Sequence, residues 1–321
     1  MNSLDASLDN LLIQYRLSLE AANRSPKTFQ GYSDILRRFF DFLKKKGHIN
    51  SVSDIGKEEV RAYTKSLQNA KRWPNRTQNG EDQGKLSPVT VQDHVRTIKV
   101  FWGWLFDNGY IEKNILVKYP LPKVPKIILV TLTIEQIKLF FKAIDSSTSV
   151  GARNYCIILL MIDNGMRISE VVGIQIVDLD LTRCRVKIIG KGQKENIVSF
   201  TKITRKELIK YTKHHRENLC KFESPYLFPA SDSDHVSIKS IQQTIKRIAQ
   251  KAGLSGIKCH AHLFRHTFAT MFLAKGGDVM VLKEILGHES IQTTQKYVHL
   301  LPEELQKQHW KYSPVEDLFK Q

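Results

Sequence analysis

The sequence predicts a mainly α-helical protein with one small β-sheet, divided between an N-terminal four-helix domain and a C-terminal α+β domain. Three observations predict this. Ser25-Pro26 and Ser87-Pro88 each place a capping hydroxyl before a proline at the first helical position. Lys118 to Lys126 carries Pro120, Pro122 and Pro125, cannot continue a helix, and so reads as an extended interdomain linker. Arg183 to Ile189 alternates charged and apolar residues, and Asn196 to Phe200 resumes an apolar strand beyond the turn residues Gly190-Lys191-Gly192-Gln193, which together make a β-hairpin.

In chain order, Leu11 to Ala22 and Ile55 to Leu67 carry apolar residues at helical spacing, and Gly47 and Asn108-Gly109 close the helices that the two Ser-Pro pairs open. A four-helix bundle over about residues 4–116 follows. Residues 70–87 form a polar loop that the composition predicts to be mobile. The boundaries are drawn at 1–117 for the first domain, 118–130 for the linker and 131–321 for the second domain. That domain opens with a helix over Ile134 to Ala143 and a very apolar one over Tyr155 to Ile162. Gly165 ends the latter, Ser169 is expected to cap the next, and the chain beyond Thr204 reads as mostly helical.

The 321 residues are enough for two modest cores, and 49 Lys and Arg against 32 Asp and Glu give a formal charge of +17. Such a charge favours a polyanion, nucleic acid above all. An anionic membrane surface is the rival, but no apolar run spans a bilayer and no lipidation motif is found. Met1 to Asn10 lacks a signal-peptide core, so a cytoplasmic, nucleoid-associated protein without a small-molecule substrate is expected. Cys156, Cys184, Cys220 and Cys259 are scattered and read as reduced, mostly buried thiols. Cys259, His260, His262 and His266 come nearest to a zinc site, yet His262 and His266 lack the glutamate of a metalloprotease motif. No metal and no cofactor is expected.

Four segments carry candidate chemistry. Arg167 sits on the short turn of Gly165-Met166-Arg167-Ile168-Ser169-Glu170, and Lys191 at the tip of the glycine-flanked hairpin. His262-Leu263-Phe264-Arg265-His266 puts two imidazoles and a guanidinium on one helical face, which suits phosphate better than metal. Leu286-Gly287-His288-Glu289-Ser290 ends a helix at glycine, and Tyr297 follows nine residues after His288. Taken singly, each has a bland structural reading: an ion-pair partner, a surface lysine, a packing tyrosine.

Together, in this order and spacing, they resemble the catalytic signature of the tyrosine recombinases, the phage-integrase and Xer-type family of site-specific recombinases. The resemblance covers essentially the whole second domain. The first domain fits the family's SAM-like core-binding domain in length, class and charge. Departures are Ala261 where proline is frequent, Phe264 for a common leucine, and Asn196 where arginine is frequent. None removes a catalytic group, and Asn196 affects only an auxiliary DNA contact.

The resemblance implies an enzyme that cleaves and rejoins DNA through a 3′-phosphotyrosine on Tyr297 and a Holliday junction, with four protomers on synapsed DNA. It implies that Arg167 and Arg265 fork onto nonbridging oxygens, that His262 takes the phenolic proton, that Lys191 is the general acid, and that His288 supports phosphate or phenol. DNA contacts are expected from Arg37, Arg38, Lys44, Lys45, Arg96, Lys99 and Lys194, with the two domains on opposite sides of the duplex. Residues 303–319, with Leu305, Trp310, Val315, Leu318 and Phe319, are apolar enough to dock on a neighbouring protomer. The chain starts almost directly with the core-binding helices, so no separate arm-site domain is expected, which leans toward a simple Xer-like or resolution role. The rivals are a type IB topoisomerase-like nicking and resealing enzyme and a catalytically inactive DNA-binding regulator.

Overall fold

The computed structural model describes residues 8–47, 52–70, 85–125, 130–190, 195–220, 223–298 and 306. The chain separates into two compact units, residues 1–127 and 128–321. The expected mobile loop falls largely on 71–84, the hairpin tip with Lys191 and Lys194 on 191–194, and the apolar tail on 303–319 with residue 306 alone described; these lie outside the described residues. No helix among the described residues is long and apolar enough to cross a membrane.

The first unit contains α1 (Leu8–Ala21), α2 (Pro26–Lys46), α3 (Lys57–Asn69) and α4 (Pro88–Asp107). Before each proline the serine hydroxyl accepts a backbone N–H three residues on, from Thr28 at 3.2 Å and Thr90 at 3.1 Å. Ile55 is buried but stands outside α3, because the Glu59 carboxylate accepts the Gly56 N–H at 2.7 Å and starts the helix at Lys57. Leu36, Phe39, Val60, Ile98, Phe101 and Leu105 fill the core, and Trp102 meets Phe39 and Phe101 edge-on. Tyr63 Oη and His94 Nδ1, both buried, satisfy each other at 2.9 Å.

Arg37, Arg38, Lys44, Lys45 and Arg96 are exposed. They are not equally available. Arg96 donates to Asp93 and Gln92, and Lys99 donates to the carbonyls of Val117 and Tyr119, tying down the chain that leaves α4.

The second unit runs α5 (Ile134–Lys142), α6 (Ser149–Asn164), α7 (Ile168–Val172), strands β1 (Leu179–Asp180), β2 (Arg185–Ile189) and β3 (Glu195–Ser199), then α8 (Lys202–His214), α9 (Ile238–Lys251), α10 (Ala261–Ala274), α11 (Val279–Leu286) and α12 (Ile291–Val298). The antiparallel sheet has the order β1-β2-β3, with Val186 opposite Val198 and Ile188 opposite Asn196. Val186, Ile188 and Val198 face inward while Arg185 and Lys187 face out, the alternation that a half-buried hairpin requires. α6 is longer than the apolar run suggested. Thr148 caps it through the Gly151 N–H, adding a polar first turn that hydrophobicity does not reveal.

α10 packs against α6, α11 and α12. Its Leu263 and Phe264 belong to the main core, whereas Ala269 and Leu273 join Leu282, Leu286 and Tyr297 in a second, smaller one. The helix therefore contributes to both cores. Of the four free thiols, Cys156 and Cys259 are buried and Cys184 and Cys220 half-buried, so burial is less complete than composition suggested.

Candidate active site

Gly165 ends α6 in the left-handed region, with φ of 68°. A side chain has no room there, since an added Cβ would lie 2.6 Å from Phe268 and 2.7 Å from Leu286. The chain then turns directly into α7, for which Arg167 itself is the N-cap. Ser169, the expected cap, lies inside the helix instead. The reason is Glu170: its carboxylate accepts the Arg167 backbone N–H at 2.7 Å and the Arg167 guanidinium at 2.6 Å, so the first turn is closed without a hydroxyl.

Arg265 is 4% exposed and joins three segments. Its Nη1 donates to the Gly165 carbonyl at 2.8 Å, and its Nη2 donates to the Leu286 carbonyl at 2.7 Å and meets His288 Nε2 at 2.8 Å. Those acceptors stand beside Arg167 on one side and at the end of α11 on the other. Three of the five guanidinium N–H groups are so used, which leaves donors for a further ligand. Burial, then Arg167, pull its pKa down to about 10, so the group stays charged at neutral pH.

His288 follows Gly287, whose φ of 61° ends α11, and its Nδ1 lies 2.8 Å from Thr294 Oγ1 on α12. Burial, followed by Arg265, Arg167 and Lys296, lowers the His288 pKa to about 4. Arg167, Glu170, Gly190 and His288 line one cavity of about 450 Å³ between α7, the hairpin and the end of α11.

Tyr297 is 1% exposed and part of the smaller core. Its hydroxyl lies 2.9 Å from His266 Nδ1. His266, not His262, is therefore the imidazole that touches the phenol; His262 is exposed and stacks on His266 with ring centroids 6.4 Å apart. Burial and the cations around it bring the His266 pKa to about 4, and burial raises that of Tyr297 against the opposing pull of Arg265 and Arg167. A neutral imidazole beside a neutral phenol is the result. His262 is likewise shifted downward by desolvation, Arg265, Arg167 and Lys296. The possible zinc group is dispersed: His260 caps α10 through the Leu263 N–H, and among the described residues no three His, Cys, Asp or Glu side chains gather to hold an ion.

Residues 131–304 match the phage integrase family, and residues 11–112 match the N-terminal SAM-like domain of phage integrases. The first match spans more than half of the chain. The chain belongs to the phage integrase family. Among this member's relatives are the tyrosine recombinase XerC of Oceanobacillus iheyensis, 29% identical over 317 residues and 98% of each chain, and that of Bacillus subtilis, 29% identical over 95% of each. Similar folds are the XerH site-specific recombinase bound to palindromic difH substrate, with a TM-score of 0.69 at 23% identity over 92% of this chain and 84% of that one. The Tn1549 transposon integrase in complex with transposon right end DNA has a TM-score of 0.70 at 17% identity over 94% and 99%.

Within the integrase fold, sequence reasoning passed over Glu170, Thr294 and the contact made by His266. Glu170 carried a usable signal, a carboxylate three residues after a turn arginine. Thr294 and His266 carried none that spacing could show, because their partners lie on other elements.

Proposed function

We propose that this integrase-family chain is a site-specific DNA recombinase, a tyrosine recombinase that breaks and rejoins strands by transesterification without a high-energy cofactor. Tyr297 Oη attacks a backbone phosphorus; the Oη–P bond forms and the P–O5′ bond breaks, giving a 3′-phosphotyrosine and a free 5′ hydroxyl. The phenolic proton leaves to an α10 imidazole: His266 touches the oxygen and His262 stands beside it. The 5′ oxygen takes a proton from Lys191 as general acid. Arg167 and Arg265 bind the nonbridging oxygens, Glu170 orients the former, and His288 supports the latter. Attack by a 5′ hydroxyl from a second duplex then exchanges strands through a Holliday junction.

The observation that carries this reading is the reach of Arg265. One guanidinium binds the carbonyls that immediately flank the Arg167 and His288 segments, while the next residue on α10 holds Tyr297. In this reading residues 1–117 bind core DNA, 118–130 link, 131–321 catalyse, and four protomers assemble on synapsed DNA in the cytoplasm, at the nucleoid. Arg37, Arg38, Lys44, Lys45 and Lys194 contribute phosphate contacts, and Arg96 and Lys99 contribute less because local partners occupy them.

A nicked suicide substrate, which loses its 5′ end on cleavage, tests the proposal. The wild-type chain should become linked to the 3′ phosphate and Tyr297→Phe should not. A covalent adduct formed by Tyr297→Phe overturns it.

A further inference from the structure

Thr294 is fully buried on α12, one turn before Tyr297, with its hydroxyl 2.8 Å from His288 Nδ1. The direction of that hydrogen bond follows from the other side of the ring. His288 Nε2 lies 2.8 Å from Arg265 Nη2, and a guanidinium can only donate. Nε2 must therefore present its lone pair. The ring proton sits on Nδ1, and Thr294 Oγ1 accepts it. The opposite tautomer would set two N–H groups against each other at Arg265, and the Thr294 hydroxyl, which can donate as well as accept, would not offset that clash.

We propose that Thr294 is a positioning residue of the strand-cleavage reaction: its hydroxyl accepts the Nδ1–H of the tautomer that Arg265 selects, and so holds the His288 ring with Nε2 turned as an acceptor to Arg265. The helix carrying the nucleophile is thereby tied to the phosphate-binding arginine. The inference rests on the reading of Tyr297 as nucleophile and Arg265 as phosphate ligand. Without the hydroxyl, His288 keeps no partner for Nδ1–H in a buried setting, and its ring must change tautomer or turn. Arg265 then loses one of the three acceptors that orient it. A partner on the far ring nitrogen fixes a histidine's tautomer and orientation in metal sites in the same way.

Two substitutions separate this role from packing. Thr294→Val keeps the branched shape and removes the hydroxyl; Thr294→Ser keeps the hydroxyl and removes a methyl from a fully buried position. If packing alone matters, Val is the milder change. On a nicked suicide substrate at saturating protein, Thr294→Val should form the covalent complex about tenfold more slowly or worse, with DNA affinity unchanged, while Thr294→Ser stays near wild type. Nitrogen-15 spectra of histidine-labelled protein without DNA should report Nδ1–H for His288 in the wild type and in Thr294→Ser, and its loss in Thr294→Val. Equal rates for wild type and Thr294→Val, a slower Ser than Val variant, or an Nε2–H ring in the wild type would each overturn the proposal. A wild type that never links to DNA while its His288 carries Nδ1–H overturns instead the assignment of Tyr297 as nucleophile, and the ring spectra still decide the role of Thr294.

Discussion

A phenol buried to 1% exposure and hydrogen-bonded to a neutral imidazole is held as a neutral group within the smaller core. Tyr297 and His266 are asymmetric partners, because the phenol is enclosed whereas His266 is only half-buried. Replacing His266 by Phe leaves the phenol oxygen without a partner in the core, and the full penalty of about 1–3 kcal/mol should appear in denaturant unfolding. Tyr297→Phe leaves an imidazole nitrogen that water can serve and should cost less. The double variant should be more stable than the sum of the two losses predicts, with a coupling of at least about 0.5 kcal/mol; additive losses would mean that the 2.9 Å contact does not contribute to the folded state. This pairing also marks the limit of sequence reading at the scale of residues. Arg167, Arg265, His288 and Tyr297 each read as structural when taken singly, and their order and spacing drew attention only through the resemblance to the family's catalytic signature. The partner of Tyr297 was not legible even then, since residues 31 positions apart meet only through the packing of α10 on α12.

Among the elements, the junction of α6 and α7 shows how a backbone requirement positions chemistry. Gly165 combines a left-handed φ with contacts from Phe268 of α10 and Leu286 of α11, and its carbonyl accepts from Arg265. Gly165→Ala meets both obstacles: about 1–2 kcal/mol for the left-handed backbone and a further 1–3, roughly, for forcing a methyl into packed neighbours. Thermal unfolding of the second unit should shift down accordingly, and the covalent complex should form more slowly than the stability loss explains, because the acceptor of Arg265 moves. An alanine variant that melts and cleaves like wild type would remove Gly165 from the account. The glycine announces this turn in the sequence, but the cap is Arg167 rather than the expected Ser169. A carboxylate that serves both the Arg167 backbone and its guanidinium outcompetes a serine hydroxyl, which caps only from outside the helix. The hairpin was legible from its alternation, whereas β1 was not: two residues are too few to show a period.

For the whole molecule the governing quantity is the formal charge of +17. A protein that neutralises several phosphates releases their counterions, so its affinity for duplex DNA falls steeply with salt. For about 6–10 contacts the loss between 50 and 200 mM is on the order of a thousandfold to a hundred-thousandfold. The slope of log affinity against log salt can be partitioned among side chains, because each phosphate-contacting cation contributes close to one unit. The structure divides the basic residues of the first unit in a way that charge counting cannot. Lys45 projects from α2 into solvent, and Lys44 lies 3.9 Å from Asp9, too long for a firm pair. Arg96 is occupied by Asp93 and Gln92, and Lys99 by two backbone carbonyls. Lys44→Gln and Lys45→Gln should each flatten the salt dependence by about one unit, uniformly across DNA sequences. Lys99→Gln should change it less and instead lower stability, since its ammonium holds the chain after α4. Fluorescence anisotropy titrations at several salt concentrations measure all three. An affinity indifferent to salt, or a Lys99 variant with the largest change in slope, would show that these cations do not face DNA in the way their local partners dictate.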